Sequence, residues 1–476
     1  MPWLPRCRRV LNDQVTRQQR LVLIIAILAS FVAFLDTSVI NVALPAISRE
    51  LGGGLSTQQW VVDAYLITLS SLILLAGSLS DVYGRIVVLR VGLIGFGVTS
   101  LLIALSPSAE FLIVLRGVQG IAGALLVPSS LALIVSTFRD AAQSKAIGQW
   151  TAWTSASFLA GPILGGLFVD YLSWRLVFVI NVIPIAVALW MLFVLKQQDV
   201  REPGRRIDYL GAALGVVGLG GPVFALIEQG NYGWGSPAIY LPLVIGLVCL
   251  AAFIWWERRA KMPMLPLGIF STRNFAWGNL ATVFVYAALS IGGFIVVVFL
   301  IQVAGFPATI AALAFLPVSL GNVFLSGLFG SLSGKYGPRL FMTLGPIIAG
   351  IGYLLFLTMG KDVNYWTQVL PGVIVFAVGL SMTVAPLTSA ILGSIPSAQA
   401  GIGSAVNNAV ARVAGLVATA MIGVIVAGTL DTGSYHRVIV VTAVLLIVGG
   451  VVSFVGIRNP AGVPAAAPAE PTAPAA

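Results

Sequence analysis

Apolar residues fall in fourteen long runs separated by short polar breaks. Each run is close to the roughly 20 residues that a helix needs to cross the hydrocarbon core of a bilayer. The pattern predicts membrane-spanning helices over 21–44, 59–78, 86–106, 111–136, 146–169 and 175–195, then 209–228 and 238–256. Six more follow over 275–300, 307–331, 339–359, 366–392, 402–428 and 437–457. Two longer breaks divide the series; one holds Lys196, Arg201, Arg205 and Arg206, the other Arg258, Arg259, Lys261 and Arg273. They mark off an N-tail (1–20), a six-helix unit (21–195), a linker with two further helices (196–274) and a second six-helix unit (275–457). A tail (458–476) follows, whose Ala/Pro-rich composition predicts disorder. The first run follows an Arg-rich tail as a signal peptide would. It continues through Asp36 to Leu44 without a small-residue cleavage pattern, so it reads as a retained span.

Composition turns this pattern into a class. The chain is 58% hydrophobic and only 9% charged, where soluble chains carry roughly 25% charged residues. So few polar groups cannot clothe a water-facing surface, and the expected fold is an all-α polytopic membrane protein embedded in the lipid bilayer. The net charge of +10 raises the question of nucleic acid, but the Lys and Arg residues sit in the breaks between spans. With the N-terminus in the cytoplasm and the sides alternating, only Arg49, Arg175, Lys361 and Arg437 fall in outer loops, and Arg116 and Arg412 fall inside spans. The remainder lie on the inner side, as the positive-inside rule requires. Both termini are therefore expected in the cytoplasm, with no nucleic-acid partner. Cys7, Cys249 and the single histidine, His436, form neither a disulfide framework nor a metal spacing. No G-x-x-x-x-G-K-[ST] run is present, so neither metal nor cofactor is expected and an ion gradient is the expected energy source.

Two breaks resemble each other. Gly77-Ser78-Leu79-Ser80-Asp81-Val82-Tyr83-Gly84-Arg85 joins spans 2 and 3, and Gly330-Ser331-Leu332-Ser333-Gly334-Lys335-Tyr336-Gly337-Pro338-Arg339 joins spans 10 and 11. Spans 1–6 and 9–14 therefore read as two copies of one unit, with spans 7 and 8 inserted between them. Such duplication is how many secondary transporters are built, with substrate handled near the bilayer midplane.

The first of these loops resembles the signature loop of the major facilitator superfamily, G-x-L-x-D-x-x-G-R. The run from Leu35 through Asp36, Thr37 and Asn41 to Pro45 resembles the first-helix motif of its 14-helix drug:proton antiporters, the EmrB/QacA type. Leu115-Arg116-Gly117-Val118-Gln119-Gly120 resembles the fourth-helix R-x-x-Q-G motif, and Gly148, Ser157, Gly161-Pro162 and Gly165-Gly166 the fifth-helix antiporter motif. Trp174-Arg175 with Phe178 and Asn181 fits the same group, and the likeness runs to about residue 457. Val82 and Ile86 replace basic residues common in the signature loop, Ser157 stands where Gly is usual, and spans 9 to 14 hold no acidic residue. The resemblance implies two six-helix bundles plus two inserted helices in a bacterial inner membrane. It also implies proton coupling through Arg116, and a loop containing Gly77, Asp81, Gly84 and Arg85 that latches one access state.

The residues carry their own chemistry. A charge at mid-membrane costs about 2.5–3.5 kcal/mol on insertion scales, and Asp36 lies two-thirds along span 1. Desolvation would favour its neutral form when closed off, and water its ionised form; a plain helix-linking role is the alternative. Thr37 and Asn41, four residues apart, share a polar stripe. Gln119, Gly120 and Gly123 lie on one face with Arg116, which stays protonated and can only modulate a partner. Ser157, Gly161 and Gly165 form a small-residue ridge that permits tight contact, and Pro162 favours a kink, so that this face suits a seam on which two halves rock. Asp81 is read as favoured by the dipole at the start of span 3. Asp63 and Glu228 stand near outer span ends as vestibule candidates. Tyr65, Trp150, Trp153 and Asn322 are cavity candidates by position, with Thr37, Asn41 and Gln119; Asn407 and Asn408 need polar partners that are either helices or substrate.

These readings predict a proton-coupled multidrug efflux transporter that exports lipophilic, cationic small molecules by alternating access, as a monomer. A dedicated exporter of one natural product (antibiotic, peptide or siderophore) is the alternative on the same scaffold. A lipid-modifying enzyme would need clustered His, Asp or Glu near one interface, and the chain has dispersed acids and one histidine. A non-transporting scaffold is the third possibility, and counterflow of a labelled dye excludes it.

Overall fold

The computed structural model describes residues 16–195, 199, 207–260, 263–396 and 399–459. The expected N-tail up to residue 15, with Cys7, the basic residues Lys196, Arg201, Arg205, Arg206 and Lys261, and the Ala/Pro-rich tail from Pro460 lie outside these residues. Among the described residues, fourteen helices are long and apolar enough to cross a membrane. In chain order they are α1 (Arg17–Leu51), α2 (Gly54–Tyr83), α3 (Arg85–Ala104), α4 (Ala109–Thr137), α5 (Lys145–Tyr171), α6 (Leu176–Val194), α7 (Tyr209–Tyr232) and α8 (Pro237–Glu257). They continue with α9 (Arg273–Gln302), α10 (Ala308–Tyr336), α11 (Pro338–Thr358), α12 (Tyr365–Leu392), α13 (Ile402–Val426) and α14 (Thr432–Gly456).

Most helices outrun the apolar runs that predict them because their first and last turns continue into capped polar sequence. Thr16 closes a capping box on α1, Ser108 accepts from the N–H of Phe111 at α4, Asp208 from Gly211 at α7, and Asp431 from Ser434 at α14. Each cap satisfies a backbone donor that the helix leaves unpaired. Two spans are interrupted: α6 is a short turn, Leu176–Val179, followed by Val182–Val194, and α10 breaks between Ala308–Leu313 and Leu316–Tyr336. Large apolar side chains stand exposed along outward faces, among them Val91 and Val98 of α3, Val244 and Val248 of α8, and Val444 and Val451 of α14. Hydrocarbon is the solvent that suits such faces.

The chain forms two compact units: residues 1–265 with Leu300–Leu313, and Pro266–Phe299 with the chain from Ala314 onward. In the first, α1 packs on α5, α2 on α4, and α3 on α4; the extra pair α7 and α8 pack on each other, with α7 also against α2. This pair approaches at backbone distance, since a Cβ on Gly221 would meet the carbonyl of Pro242. In the second unit, α11 packs on α12 and α14, and α10 on α12. The extra pair falls within the first unit.

The ridge of α5 is resolved into particular contacts. A Cβ on Gly161 would collide with the hydroxyl of Ser38, and one on Gly165 would stand 2.8 Å from Val39 Cγ2, while Ser38 donates to the carbonyl of Ser157 at 3.0 Å. Ser157, Gly161 and Gly165 therefore join α5 to α1, and it is Gly166 that packs on Thr309. Gly161→Val is expected to destabilise the protein by about 1–3 kcal/mol through overpacking. Gly148→Ala, at a position with open space around it, is expected to be neutral; thermal unfolding in detergent measures both.

Candidate functional site

Five helices of the first unit converge on one ion pair. Arg116 of α4 donates from Nη1 to Asp36 Oδ2 of α1 at 2.6 Å, and both side chains are buried, at 1% and 0% residue exposure. Two further bonds hold the guanidinium: Nε donates to the carbonyl of Val61 on α2 at 2.9 Å, and Nη1 also reaches Gln119 Oε1 at 2.8 Å. The second carboxylate oxygen accepts from Asn181 Nδ2 of α6 at 3.1 Å and from Gln119 Nε2 at 3.4 Å. Gln119 in turn donates to Ser100 Oγ of α3 at 2.9 Å. The faces are closed by aromatic rings, with the Arg116 guanidinium carbon 4.4 Å from the centre of Tyr65 and 5.9 Å from that of Phe178.

Local sequence explains how the charges come so close. Gly120, one turn after Arg116, lies against Thr68 and the carbonyl of Tyr65, where a Cβ would collide. Thr68 donates to the carbonyl of Gly117 at 2.7 Å. With α2 and α4 this near, the Arg116 side chain has a carbonyl within reach. An arginine presents five donors and accepts nothing, so burying it requires a cage of acceptors, and here Asp36, Gln119 and Val61 provide it.

The structure corrects several expectations. Asp36 is no lone carboxylate in a desolvated slot; it is held in a buried salt bridge with amide donors. Tyr65, expected in a substrate cavity, is 1% exposed and lies on Arg116. Gln119 is likewise enclosed within the ion-pair network. Asp63, expected in an outer vestibule, is fully buried and neither carboxylate oxygen has a hydrogen-bond partner among the described residues; the neighbouring Trp60 and Tyr65 made it resemble an interface anchor. Asp81 does not stand at the start of α3. Helix α2 continues through Tyr83, Gly84 turns the chain at φ +105°, and the carboxylate on the first N–H groups of α3 is that of Asp199.

The other singled-out residues are dispersed. Arg85, the first residue of α3, lies 3.5 Å from Asp81 in the last turn of α2 and donates to the carbonyl of Ala132 at 3.1 Å, tying the α2–α3 junction to α4. Thr37 donates to its own helix at Ala33, Asn41 is half-buried, and Trp150 donates to Ser30 Oγ at 3.0 Å. Trp153 is 60% exposed. In the second unit, Asn322 accepts from Ser381 at 3.3 Å, Asn407 donates to Asn279 and Thr282, and the exposed Asn408 donates to Ser404 within its own helix. Asn407 thus takes helix partners. Glu228 clasps α7 to α2, accepting from Trp60 Nε1 at 2.6 Å and Ser56 at 3.2 Å. A further clasp has Glu50 of α1 accepting from both Trp174 and Arg175 at 2.6 Å. Asn181 and Ser100 were not assigned a role from sequence; Asn181 was visible only as part of the Trp174-Arg175, Phe178, Asn181 pattern, and Ser100 only as a polar side chain inside an apolar run.

Fourteen spans among the described residues, with a caged ion pair buried between five of them, fit a polytopic membrane transporter. The chain belongs to the Major Facilitator Superfamily, whose sequence pattern matches residues 26–419. It is 33% identical over 425 residues to the multidrug resistance protein Stp of Mycobacterium tuberculosis (strain CDC 1551 / Oshkosh), covering 88% of this chain and 78% of that one. It is 31% identical over 402 residues to the multidrug export protein EmrB of Escherichia coli (strain K12), covering 83% and 77%. Among solved structures, a POT family transporter in complex with 5-aminolevulinic acid shares the fold with a TM-score of 0.69 at 14% identity, over 92% of this chain and 96% of that one.

Proposed function

We propose that this protein is a proton-coupled exporter of lipophilic, cationic compounds. It lies in a bacterial cytoplasmic membrane with both termini inside, and it works by alternating access. The observation that carries the reading is the buried Asp36–Arg116 pair at the meeting of five spans. The names of the multidrug resistance and export relatives support the choice of substrate class.

A proton arriving from outside binds Asp36 and takes the oxygen that Arg116 holds. The guanidinium keeps its charge and retains only the Val61 carbonyl and Gln119 as acceptors. The freed positive charge then disfavours a cationic substrate nearby, which leaves outward. Loss of the proton to the cytoplasm restores the pair and resets the cycle. One proton entering as one monovalent cation leaves moves no net charge, so the membrane potential does no work on this exchange; each unit of pH difference supplies about 1.4 kcal/mol, which supports a substrate gradient of about tenfold. Asp81, Arg85 and Ala132 act in this scheme as a latch at the end of α2, and the α1–α5 contact through Gly161 and Gly165 as the stiff joint about which the ion pair is carried.

Proteoliposomes holding the purified protein test the reading. An imposed pH gradient is expected to drive accumulation of a lipophilic cationic dye, and a protonophore is expected to abolish it. Accumulation that survives the protonophore would remove proton coupling; transport of one natural product with no dye moved would assign the dedicated exporter.

A further inference from the structure

The two halves cap the same helix with side chains of different charge. In the first unit, Gly84 stands at φ +105° between α2 and α3, and Asp199, beyond α6, packs against it and accepts from the N–H groups of Ile86 and Val87 at 3.1 Å each. In the second, Gly337 stands at φ +85° between α10 and α11, and Asn459, just after α14, packs against it and accepts from Arg339 N–H at 3.1 Å. A Cβ at either glycine would strike the capping group, so the device is built alike twice. Aligning the two loops also sets Gly334 opposite Asp81. Both carboxylates of the first copy are therefore neutral in the second, Asp81 as Gly334 and Asp199 as Asn459.

The positive charges have not been removed with them. Where the carboxylates are missing, the second unit has a cleft of about 560 Å³, whose lining includes Gly334, Asn459, Arg273, Arg458 and Ser333. That volume lies within the range of small-molecule sites. Arg273 donates from Nε and Nη2 to the last carbonyls of α14, at Gly456 and Val455, and its Nη1 makes no hydrogen bond among the described residues. The Arg458 guanidinium makes no hydrogen bond or ion pair among the described residues. Ser333 is 4% exposed and its hydroxyl makes no hydrogen bond among them, whereas its counterpart Ser80 donates to Gly77. Asp362 and Asp431, the only carboxylates of this unit among the described residues, stand at the opposite ends of its helices, before α12 and α14. A cleft with two guanidinium groups, a buried hydroxyl and no acid is an electrostatic site lacking its anion.

We propose that this cleft binds a phosphate-bearing anion, which stands where the first half keeps its own carboxylates. Guanidinium groups hold phosphate oxygens through paired, charge-assisted hydrogen bonds, and Ser333 adds a neutral donor. The phosphate can come from a lipid headgroup of the adjoining leaflet or from a free anion, and both present the same oxygens.

Full-length protein, purified and stripped of lipid, is titrated with inorganic phosphate, phosphatidylglycerol and uncharged diacylglycerol, with thermal unfolding and native mass spectrometry as readouts. A phosphate-bearing ligand is expected to bind and to raise the unfolding temperature, and diacylglycerol is not. Binding of phosphatidylglycerol alone assigns the headgroup; binding of inorganic phosphate as well assigns the free anion. Arg458→Gln is expected to weaken binding about tenfold, as loss of one charged hydrogen bond does. Gly334→Asp, which returns the first half's carboxylate to the cleft, is expected to abolish it. Both variants should fold, since the Arg458 side chain is unpartnered and a Cβ on Gly334 meets nothing within 4 Å. Failure of both phosphate ligands to bind, or equal affinity in wild type and both variants, overturns the proposal.

Discussion

Asp36→Asn is expected to abolish uphill export while downhill exchange of substrate across the membrane persists. Asn occupies the same volume and can still bond to Asn181 and Gln119, so the cavity-forming helices keep their spacing. It cannot take up and release a proton, so a pH gradient no longer drives the cycle. The same substitution leaves Arg116, 1% exposed, without its counter-ion. Removing one partner of a buried pair costs about 3–5 kcal/mol, because the remaining charge is uncompensated. Asp36→Asn should therefore also lower the unfolding temperature. The double variant Asp36→Asn with Arg116→Gln removes that charge and is expected to recover most of the stability, but none of the uphill transport. This separates coupling from folding: stability returns and function does not. Uphill dye transport at the wild-type rate by Asp36→Asn protein in proteoliposomes would take Asp36 out of the coupling step.

How much of this was legible in the sequence depends on distance along the chain. The fourteen spans could be read because each is a continuous apolar run, and a lipid environment demands little more than length and hydrophobicity. Asp36 and Arg116 stood out singly because each is a charge inside such a run. Their pairing did not, since they are 80 positions apart and only the close approach of α2 and α4 at Gly120 brings the acceptors of Arg116 together. The roles of Asn181 and Ser100 were hidden for the same reason: an amide or hydroxyl in an apolar helix has many possible partners, and periodicity does not choose among them. Gly161 and Gly165 were visible as a ridge, but a ridge does not name what it packs on: these two meet Ser38 and Val39 of α1, and Gly166 beside them meets Thr309. The caps Asp199 and Asn459 are equivalent only in space, because each belongs to the chain just beyond a final helix and far from the loop it closes.

Asp63→Leu is expected to make the protein more stable by about 1–3 kcal/mol, the usual cost of a buried polar group left without a hydrogen bond. Asp63 is 0% exposed and both of its carboxylate oxygens lack hydrogen-bond partners among the described residues. It sits on α2, two positions beyond Val61, whose carbonyl accepts from Arg116. An ionised carboxylate there would stand with no compensating donor, at a far larger cost than a neutral one. A side chain that a leucine could replace to advantage is retained at the expense of stability, and ionisable groups inside membrane spans mark ion and proton pathways. The variant is therefore expected to lose proton-driven export as it gains stability, the trade expected when a destabilising group serves activity. Thermal unfolding and pH-driven dye transport, measured on the same preparation, decide the matter. A less stable Asp63→Leu protein would mean that the carboxylate has a stabilising partner in the membrane. A more stable protein that exports at full rate would mean that transport does not use it, and Asp36 alone would then have to carry every proton in the cycle.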